Sequence, residues 1–522
     1  MTENNAMVRQ IIEGLPYLAP QFLLVGLGLA VLAIGLYTDR MRKGKLEHLL
    51  PPDYLAVAGL VGALTWAIAL LVKAIQAGGA SQGVRVFPIE WGRAFSPSLL
   101  VVDKFGLLFS VIAIAGSAIV GLLSIDYFRN RRFHRGEYYS LLIFATLAIT
   151  LVAASTDFIT IYLSLEFLSL CSYVLATYSK DDPKSSEAGL KYFLFGAVAS
   201  AVMLYGMSML YGVTGSTNLF EIPYELGMVS TRLAGAAWLG VIFVLTGLGF
   251  KLALVPFHLW APDTYEGAPT PITAFLSVGS KAAGLAVAVR FLGRAIPLPT
   301  DGMRGVDWFS LLAMLAAITM TLGNLVAISQ QNIKRMLAYS SIAQVGYILI
   351  GLLAATNAKA DMGMPGLLIY LFGYLFMNLG AFAVVIGVSD KTGSNSIQSY
   401  AGLMGRSPLY AVALTVFLMS LAGIPPTVGF LGKLYVFGSG IQYGQRLWPL
   451  VALALANSVV SVFYYFNVVR HMFFLPAESD EKFAPSSALA TALVIALVGT
   501  IALGVYPQPF IALAKACGAP MP

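Results

Sequence analysis

The chain has 522 residues and a formal net charge of +7, with 58% hydrophobic and only 11% charged residues. A soluble domain carries roughly 25% charged residues, and a soluble chain of this length would divide into several domains that each need a polar surface. The composition therefore excludes an ordinary soluble enzyme and a disordered chain, and it predicts a polytopic membrane protein.

Long apolar runs follow one another along the sequence. A helix that crosses a membrane needs about 20 mostly apolar residues. Such runs occur near 15–37, 53–77, 104–125, 138–155, 158–178, 188–213, 236–255, 271–293, 308–329, 335–355, 366–388, 408–441, 448–470 and 487–506. The first is expected to be a retained helix and not a cleaved signal peptide. The sequence thus predicts an all-α polytopic membrane protein with about 14 transmembrane helices, joined by loops such as 78–103.

Basic residues lie mainly in short loops between the apolar runs. The loops after the first and third runs carry Arg40, Arg42, Lys43, Lys45, Arg129, Arg131, Arg132 and Arg135. Because positive charge accumulates on the cytoplasmic side of membrane proteins, these loops are predicted to be cytoplasmic and both termini to lie on the opposite side. The positive net charge therefore indicates membrane topology, and no nucleic-acid partner is expected.

Cofactor motifs are lacking in the sequence. The two cysteines, Cys171 and Cys517, are far apart and form no CxxC motif, which argues against an iron–sulfur cluster or a cysteine-type zinc site. Neither a dinucleotide-binding GxGxxG after a strand nor a phosphate-binding GxxxxGK[ST] occurs. We expect no metal, no bound cofactor and no redox centre in this chain.

Four ionisable residues fall inside predicted membrane helices: Glu166, Lys251, Lys281 and Lys433. A charge at that depth costs at least about 2.5–3.5 kcal/mol on insertion scales, so each needs a paired or hydrated environment. One explanation is a structural ion pair between Glu166 and one lysine, which leaves two lysines over. The other is a path for protons or ions, since a lysine without water around it releases its proton more readily.

Two of the predicted helices are broken beside these lysines. Pro256 follows Lys251, whereas Pro425 and Pro426 precede Lys433. Proline kinks a helix, and broken helices in corresponding positions of two halves indicate an inverted-repeat transporter. Helices 4–8 and 9–13 are therefore predicted to form two inverted five-helix repeats, each with a broken fourth helix. The expected divisions are 1–130 for helices 1–3, 131–295 and 296–475 for the two repeats, and 476–522 for the last helix and tail.

Several polar residues near the breaks have two explanations each. His258 is either a proton relay or a hydrogen-bonded structural histidine. Lys334 either follows the positive charge bias of cytoplasmic loops or takes part in proton uptake or release. Asp157 is expected to cap a helix, and Asp263 and Glu266 to lie in a short polar loop that caps helices.

Three segments carry a resemblance to a known family. They are GLGFKLALVPFHLWAPDTYEGAPTPITAFLSVGSKAAGLAVAVRFL, RMLAYSSIAQVGYILIG and LAGIPPTVGFLGKLYVF. They closely resemble the antiporter-like subunits of respiratory complex I, and the resemblance extends from about the third to the thirteenth helix. The lysine in GFLGKLYVF favours the N or L type over the M type. The lysine in VGSKAAG and the fourteen-helix length fit the N type.

The resemblance implies a role for each buried charge. Glu166 matches the glutamate of the fifth helix and Lys251 the seventh-helix lysine that pairs with it. Lys281 matches the central lysine of the eighth helix, and Lys433 the twelfth-helix lysine near the proton's connection to the far side. The implied activity is proton translocation, coupled to quinone reduction elsewhere in the complex.

The resemblance also implies partners. Flavin mononucleotide (FMN), iron–sulfur clusters and quinone are expected in other subunits, and this chain is expected to contact other membrane-arm subunits, the lipid bilayer and, through the complex, the quinone pool. The expected location is the inner membrane of a bacterial cell, with a thylakoid membrane as the alternative. Other functions left open are a multisubunit sodium/proton antiporter, a membrane hydrogenase of the same fold and a passive scaffold subunit.

Overall fold

The fold consists almost entirely of membrane-crossing helices. The computed structural model describes residues 14–40, 51–77, 84–88, 98–129, 134–230, 232–296, 307–357, 360–477, 479 and 481–518. Within these ranges thirteen helices are long and apolar enough to cross a membrane. A further crossing is made by two shorter helices that follow each other. The prediction of about 14 transmembrane helices is confirmed.

We number the crossings α1 to α14 in chain order. They are α1 (Ala19–Arg40), α2 (Pro52–Gln76), α3 (Lys104–Arg129), α4 (Arg135–Ala154), α5 (Phe158–Ala176), α6 (Pro183–Thr214), α7a (Ala234–Leu252) with α7b (Trp260–Gly267), α8 (Thr270–Arg290), α9 (Trp308–Ile328), α10 (Ile333–Ala354), α11 (Gly363–Thr392), α12a (Pro408–Ala422) with α12b (Val428–Tyr443), α13 (Trp448–Phe474) and α14 (Ser487–Val505). Short helical segments lie at Leu15–Leu18, Ile222–Met228, Phe291–Ala295, Ile397–Tyr400, Leu403–Arg406 and Gln508–Cys517.

The segment 78–103, predicted as a loop, contains a small antiparallel hairpin. Strand β1 (Val84–Pro88) pairs with β2 (Ser98–Val102). The sequence of β2, SLLVV, is apolar and ends in two β-branched residues, which suits a strand. The backbone of β2 also binds the linker between α4 and α5, because Thr156 N donates to Leu99 O over 3.1 Å.

The loops on which the predicted orientation depends lie partly outside the described residues. Arg42, Lys43, Lys45, Arg131 and Arg132 lie outside the described residues. The cytoplasmic placement of these loops stays a prediction.

The two five-helix units repeat the same backbone contacts at their helix starts. Asp157 caps α5 by accepting from Ile159 N, and it forms an isolated β-bridge with Asn218, which follows α6. Asn332 caps α10 in the same way and bridges to Ser396, which follows α11. Since the chain crosses the membrane five times from the start of α5 to the start of α10, the two helices begin on opposite sides of the membrane. The two units are therefore inverted copies, and the predicted cap at Asp157 is confirmed.

The breaks in the seventh and twelfth helices are also alike. In α7a the chain leaves the helix at Ala253 with a φ of 58°, and the peptide bond before Pro256 is cis. In α12a it leaves at Gly423 with a φ of 88°, and the bond before Pro426 is cis. Each five-helix unit thus has a broken fourth helix, as the sequence predicts.

The centre of the molecule is formed by helices that lipid does not reach. Every residue of α8 is buried, and so is nearly all of α10. Outer helices present large apolar side chains instead, such as Phe463 on α13, which is 77% exposed. Polar side chains on α8 and α10 therefore lie inside protein, which is where intramembrane charges are tolerated.

Candidate functional site

The three membrane lysines are all buried. Their exposed fractions are 2% for Lys251, 3% for Lys281 and 4% for Lys433. Glu166 is half-buried, on the side of α5 that approaches α6. Burying a charge without partners is very unfavourable, so the contacts of these four groups decide what the site can do.

Glu166 and Lys251 are each held by a serine. The hydroxyl of Ser200 on α6 donates to the Glu166 carboxylate, and Lys251 Nζ donates to the Ser169 hydroxyl on α5. Glu166 and Ser169 are three residues apart and therefore share one face of α5. The direct pair between Glu166 and Lys251 that the resemblance implies is replaced here by these two hydroxyl contacts. The reason is that the carboxylate points to α6, whereas the lysine reaches α5 one turn further along.

Lys281 sits between α10 and the short helix α7b. Its Nζ donates to the hydroxyl of Ser341 and to the hydroxyl of Tyr265, the latter over 3.2 Å. Both partners are neutral and can accept or donate a hydrogen bond. Lys281 is thus placed where a proton could pass to a hydroxyl without leaving the protein interior.

Lys433 lies in α12b, directly after the break. Its Nζ donates to the carbonyl of Ala422 over 2.7 Å and to the Ser458 hydroxyl over 2.9 Å. The Ala422 carbonyl is at the end of α12a, where helix carbonyls lack intrahelical partners. The Tyr347 ring centroid lies 5.0 Å from Nζ, within the range of a cation–π contact. The break thus supplies an acceptor for the lysine.

One face of α10 joins the surroundings of Lys281 to those of Lys433. Ser341, Gln344 and Tyr347 follow at spacings of three residues and so lie along one side of the helix. Ser341 contacts Lys281, and the ring of Tyr347 lies under Lys433. Between them, Gln344 accepts from Tyr370 and donates to the Leu421 carbonyl over 3.0 Å. We call Ser341, Gln344 and Tyr347 the α10 polar face.

The two secondary candidates lie near the first break. Lys334 is 3% exposed, and its Nζ donates to the carbonyls of Glu266 and Ala268, each over 2.7 Å. His258 is 7% exposed, and its Nδ1 has no hydrogen-bond partner among the described residues. Lys334 therefore holds the end of α7b, whereas His258 has a buried polar atom left for a water molecule.

Charged residues around α7b form an ion cluster. Asp263 pairs with Lys191 on α6 and with Arg335 on α10, both at 2.7 Å. Glu266 pairs with the same arginine at 3.0 Å and with Lys184 at 3.6 Å. Asp263 and Glu266 were expected in a short polar loop that caps helices, but both lie within the helix α7b. They tie this helix to both five-helix units by ion pairs. Because Tyr265 lies between them in sequence, this cluster also fixes the helix that contacts Lys281.

A buried ion pair between α8 and the residue directly after β2 was missed by the sequence analysis. Arg290 Nη2 lies 2.9 Å from Asp103 Oδ1, and the two side chains are 1% and 4% exposed. Arg290 Nε also donates to the Ala153 carbonyl at the end of α4 over 2.8 Å. The sequence placed Asp103 in a loop and Arg290 at a helix end, where a charge is ordinary. Two residues so far apart in the sequence leave no local pattern from which their pairing could be predicted.

Within the described residues, no group of three or more histidine, cysteine, aspartate or glutamate side chains is arranged to hold a metal ion. The groups at the site are one carboxylate, three buried amines and the hydroxyls and amide between them, all of which form hydrogen bonds.

Two inverted five-helix units with charges buried at their centre define an antiporter-like membrane protein. In agreement, residues 155–461 match the family described as NADH:quinone oxidoreductase/Mrp antiporter, transmembrane. The chain is 40% identical over 520 residues to the NADH-quinone oxidoreductase subunit N of Trichlorobacter lovleyi, with 99% of each chain covered. The chain belongs to the family of NADH-quinone oxidoreductase N subunits, which confirms the resemblance.

Solved structures agree with this assignment. A chain of the archaeal membrane-bound sulfane sulfur reductase superimposes with a TM-score of 0.81 and 25% identity, over 96% of this chain and 97% of that one. A chain of respiratory complex I from Thermus thermophilus gives a TM-score of 0.72 and 31% identity, over 95% and 99%. The fold is thus shared between respiratory membrane complexes.

Proposed function

We propose that this chain translocates protons as the N subunit of an NADH-quinone oxidoreductase, with Glu166, Lys251, Lys281 and Lys433 as the relay. The observation that carries the proposal is the α10 polar face, which connects the surroundings of two buried lysines in different five-helix units. The family assignment supports the same role. The relative from Trichlorobacter lovleyi, which this chain matches over 99% of its length, is an NADH-quinone oxidoreductase subunit N.

The contacts of the buried lysines support the proposed relay. Lys281 in its protonated form can pass a proton to Ser341, whose hydroxyl can donate in turn as it accepts. Gln344 and Tyr370 stand one turn further along, and Lys433 lies at the break of α12. Because an amide does not pass a proton on, water molecules between these groups would carry the proton from Ser341 to Lys433. Each lysine is buried, so a change in nearby charge alters its proton affinity more strongly than it would in water.

Glu166 and Lys251 are proposed to switch the relay. Glu166 lies on α5 and Lys251 on α7a, so a small movement of α5 against α7a would change the distance between carboxylate and amine. A closer carboxylate favours the charged lysine, and a more distant one favours release of its proton. Moving one charge across the whole membrane requires about 2.3 kcal/mol per 100 mV, which sets the work that the switch must perform.

The proposed function also specifies the partner subunits and the membrane in which this chain works. FMN, iron–sulfur clusters and most of the quinone site are assigned to partner subunits, and this chain to the membrane arm, in contact with lipid. The membrane is proposed to be the inner membrane of a bacterial cell, with the thylakoid as the alternative. The division into 1–130, 131–295, 296–475 and 476–522 also belongs to the proposal.

The test is proton pumping by the purified complex in sealed vesicles. Lys281→Met and Lys433→Met are expected to lower the number of protons translocated per electron while the complex still assembles. Lys73→Met is the matched control, since Lys73 on α2 is exposed and outside the relay. An unchanged proton-to-electron ratio in both buried-lysine variants would contradict the relay. Purification without flavin and iron–sulfur absorbance would contradict membership of the oxidoreductase.

The alternatives are separated by the same preparation. Pumping that stops when sodium is replaced by choline would favour a sodium/proton antiporter. Pumping that persists after all four charges are neutralised would favour a passive scaffold. Hydrogen evolution in place of quinone reduction would identify a membrane hydrogenase.

A further inference from the structure

A large cavity opens between the start of α5 and the end of α6, apart from the relay. Its volume is about 760 Å³, within the range of pockets that bury a drug-sized ligand. The inner walls are apolar and include Phe158, Leu163, Leu204 and Met207. The outer rim is polar, because it is formed by the helix ends and by the turn after α6.

The cavity runs along the helices from their ends toward the membrane interior. On α6 it extends from Tyr211 to Leu204 and on α5 from Phe158 to Leu163, which at 1.5 Å per residue corresponds to about 10 Å of depth along α6 and about 8 Å along α5. A polar mouth at helix ends above an apolar shaft is the shape that accepts an amphiphile. The headgroup would lie at the membrane boundary and the chain would lie alongside α5 and α6.

The charge at the mouth selects among headgroups. Of the lining residues, Asp157 and Glu221 are carboxylates and none is basic. Asp157 is 3% exposed and already accepts from Ile159 N and from Thr217. Glu221, which accepts from Ser216 over 2.5 Å, is therefore the carboxylate that meets a headgroup, and it can accept further hydrogen bonds. The mouth thus attracts an ammonium group and repels a headgroup with a net negative charge.

We infer that this cavity binds a phospholipid with an amine-bearing, zwitterionic headgroup, such as phosphatidylethanolamine. The bound lipid lies next to the switch: Leu204 and Tyr162, both lining residues, are one helical turn from Ser200 and Glu166. An acyl chain in the shaft therefore fills the space between α5 and α6 beside the hydrogen bond that joins them.

The experiment uses the purified complex in vesicles of phosphatidylethanolamine and phosphatidylglycerol. Each lipid is supplied in turn with a photoreactive acyl chain, and labelled peptides are identified by mass spectrometry. Label from phosphatidylethanolamine should exceed label from phosphatidylglycerol at residues 157–163 and 204–221. Glu221→Gln should reduce this preference by about fivefold, the factor expected for one charge near a membrane surface.

Leu204→Trp fills the shaft and should remove most of the label from these segments. Val198→Trp is its matched control, because Val198 is 66% exposed on the same helix and does not line the cavity. Equal labelling by both lipids in the unaltered protein would overturn the inference, as would label that persists in Leu204→Trp. Cross-linking of these segments to a partner subunit in place of lipid would also overturn it. None of these outcomes depends on proton pumping, so the proposed function is tested separately.

Discussion

Gly423 and Lys433 fit each other across the break in the twelfth helix. A Cβ atom at Gly423 would lie 2.7 Å from Cδ of Lys433, closer than real contacts allow. The backbone at Gly423 is also left-handed, with a φ of 88°, a conformation that glycine adopts without strain. Glycine at position 423 therefore allows the left-handed backbone of the break and also leaves room for the side chain of Lys433.

Gly423→Ala is expected to impair proton translocation as well as stability. The left-handed conformation should cost roughly 1–2 kcal/mol for alanine, and displacement of Lys433 by about 1 Å should slow proton transfer by up to about 100-fold. Gly393→Ala is the control, because Gly393 has a φ of 67° and open space around it. Thermal unfolding and pumping are measured for both. Equal pumping in the two variants would show that the contact with Lys433 is unimportant.

Ser341→Ala should weaken the relay between the two five-helix units. Lys281 then keeps Tyr265 as its hydroxyl partner, and the lost hydrogen bond to a charged group is worth about 1.5–3 kcal/mol, or roughly a tenfold or larger loss in pumping rate. Ser439→Ala is the comparison, since the buried Ser439 hydroxyl donates only to its own helix, at the Val436 carbonyl. The idea fails if Ser341→Ala and Ser439→Ala pump equally well.

The buried pair between Arg290 and Asp103 is expected to hold the first half of the molecule together. Arg290→Met leaves a buried carboxylate without its partner, which should destabilise the protein by about 3–5 kcal/mol. Adding Asp103→Asn should recover much of the lost stability. The unpaired charge is then gone, while Gly106 N can still donate to the side chain at position 103. Thermal unfolding of the purified complex measures both changes.

The comparison for this pair is Arg446→Met. Arg446 pairs with Asp307, and the two side chains are 46% and 41% exposed, so the loss should stay below about 1 kcal/mol. If Arg446→Met and Arg290→Met lower the unfolding temperature equally, burial is not what makes the inner pair important.

The buried charges and the helix breaks were predictable from the sequence, whereas the hydrogen-bond partners of the charges were not. Lys281 and Lys433 stand out because a charge inside an apolar run of about 20 residues is costly. Pro256 and Pro426 stand out because proline interrupts a helix. Serines such as Ser169 give no comparable signal, since a hydroxyl in a membrane helix usually bonds its own backbone. Only the packing of α5 against α7a shows that Ser169 receives Lys251.

Contacts between distant segments were equally hidden. The hairpin of β1 and β2 lies in a segment that was predicted only as a loop, and Asp103 follows directly after it. That Asp103 faces Arg290 depends on how α3, α4 and α8 assemble. For the ion cluster, the sequence indicated that Asp263 and Glu266 lie in a polar segment that caps helices. It did not indicate their partners, which come from α6 and α10.

The repeated backbone carries charges that are not repeated. Five residues before the cis proline stands Lys251 in the first unit and Leu421 in the second; seven residues after it stands Asp263 in the first and Lys433 in the second. A duplicated, inverted scaffold by itself has no preferred direction, since turning it over gives the same object. The vectorial character of the molecule therefore resides in a few side chains, and exchanging them between equivalent positions would be a way to ask whether a pump can be reversed without altering its architecture.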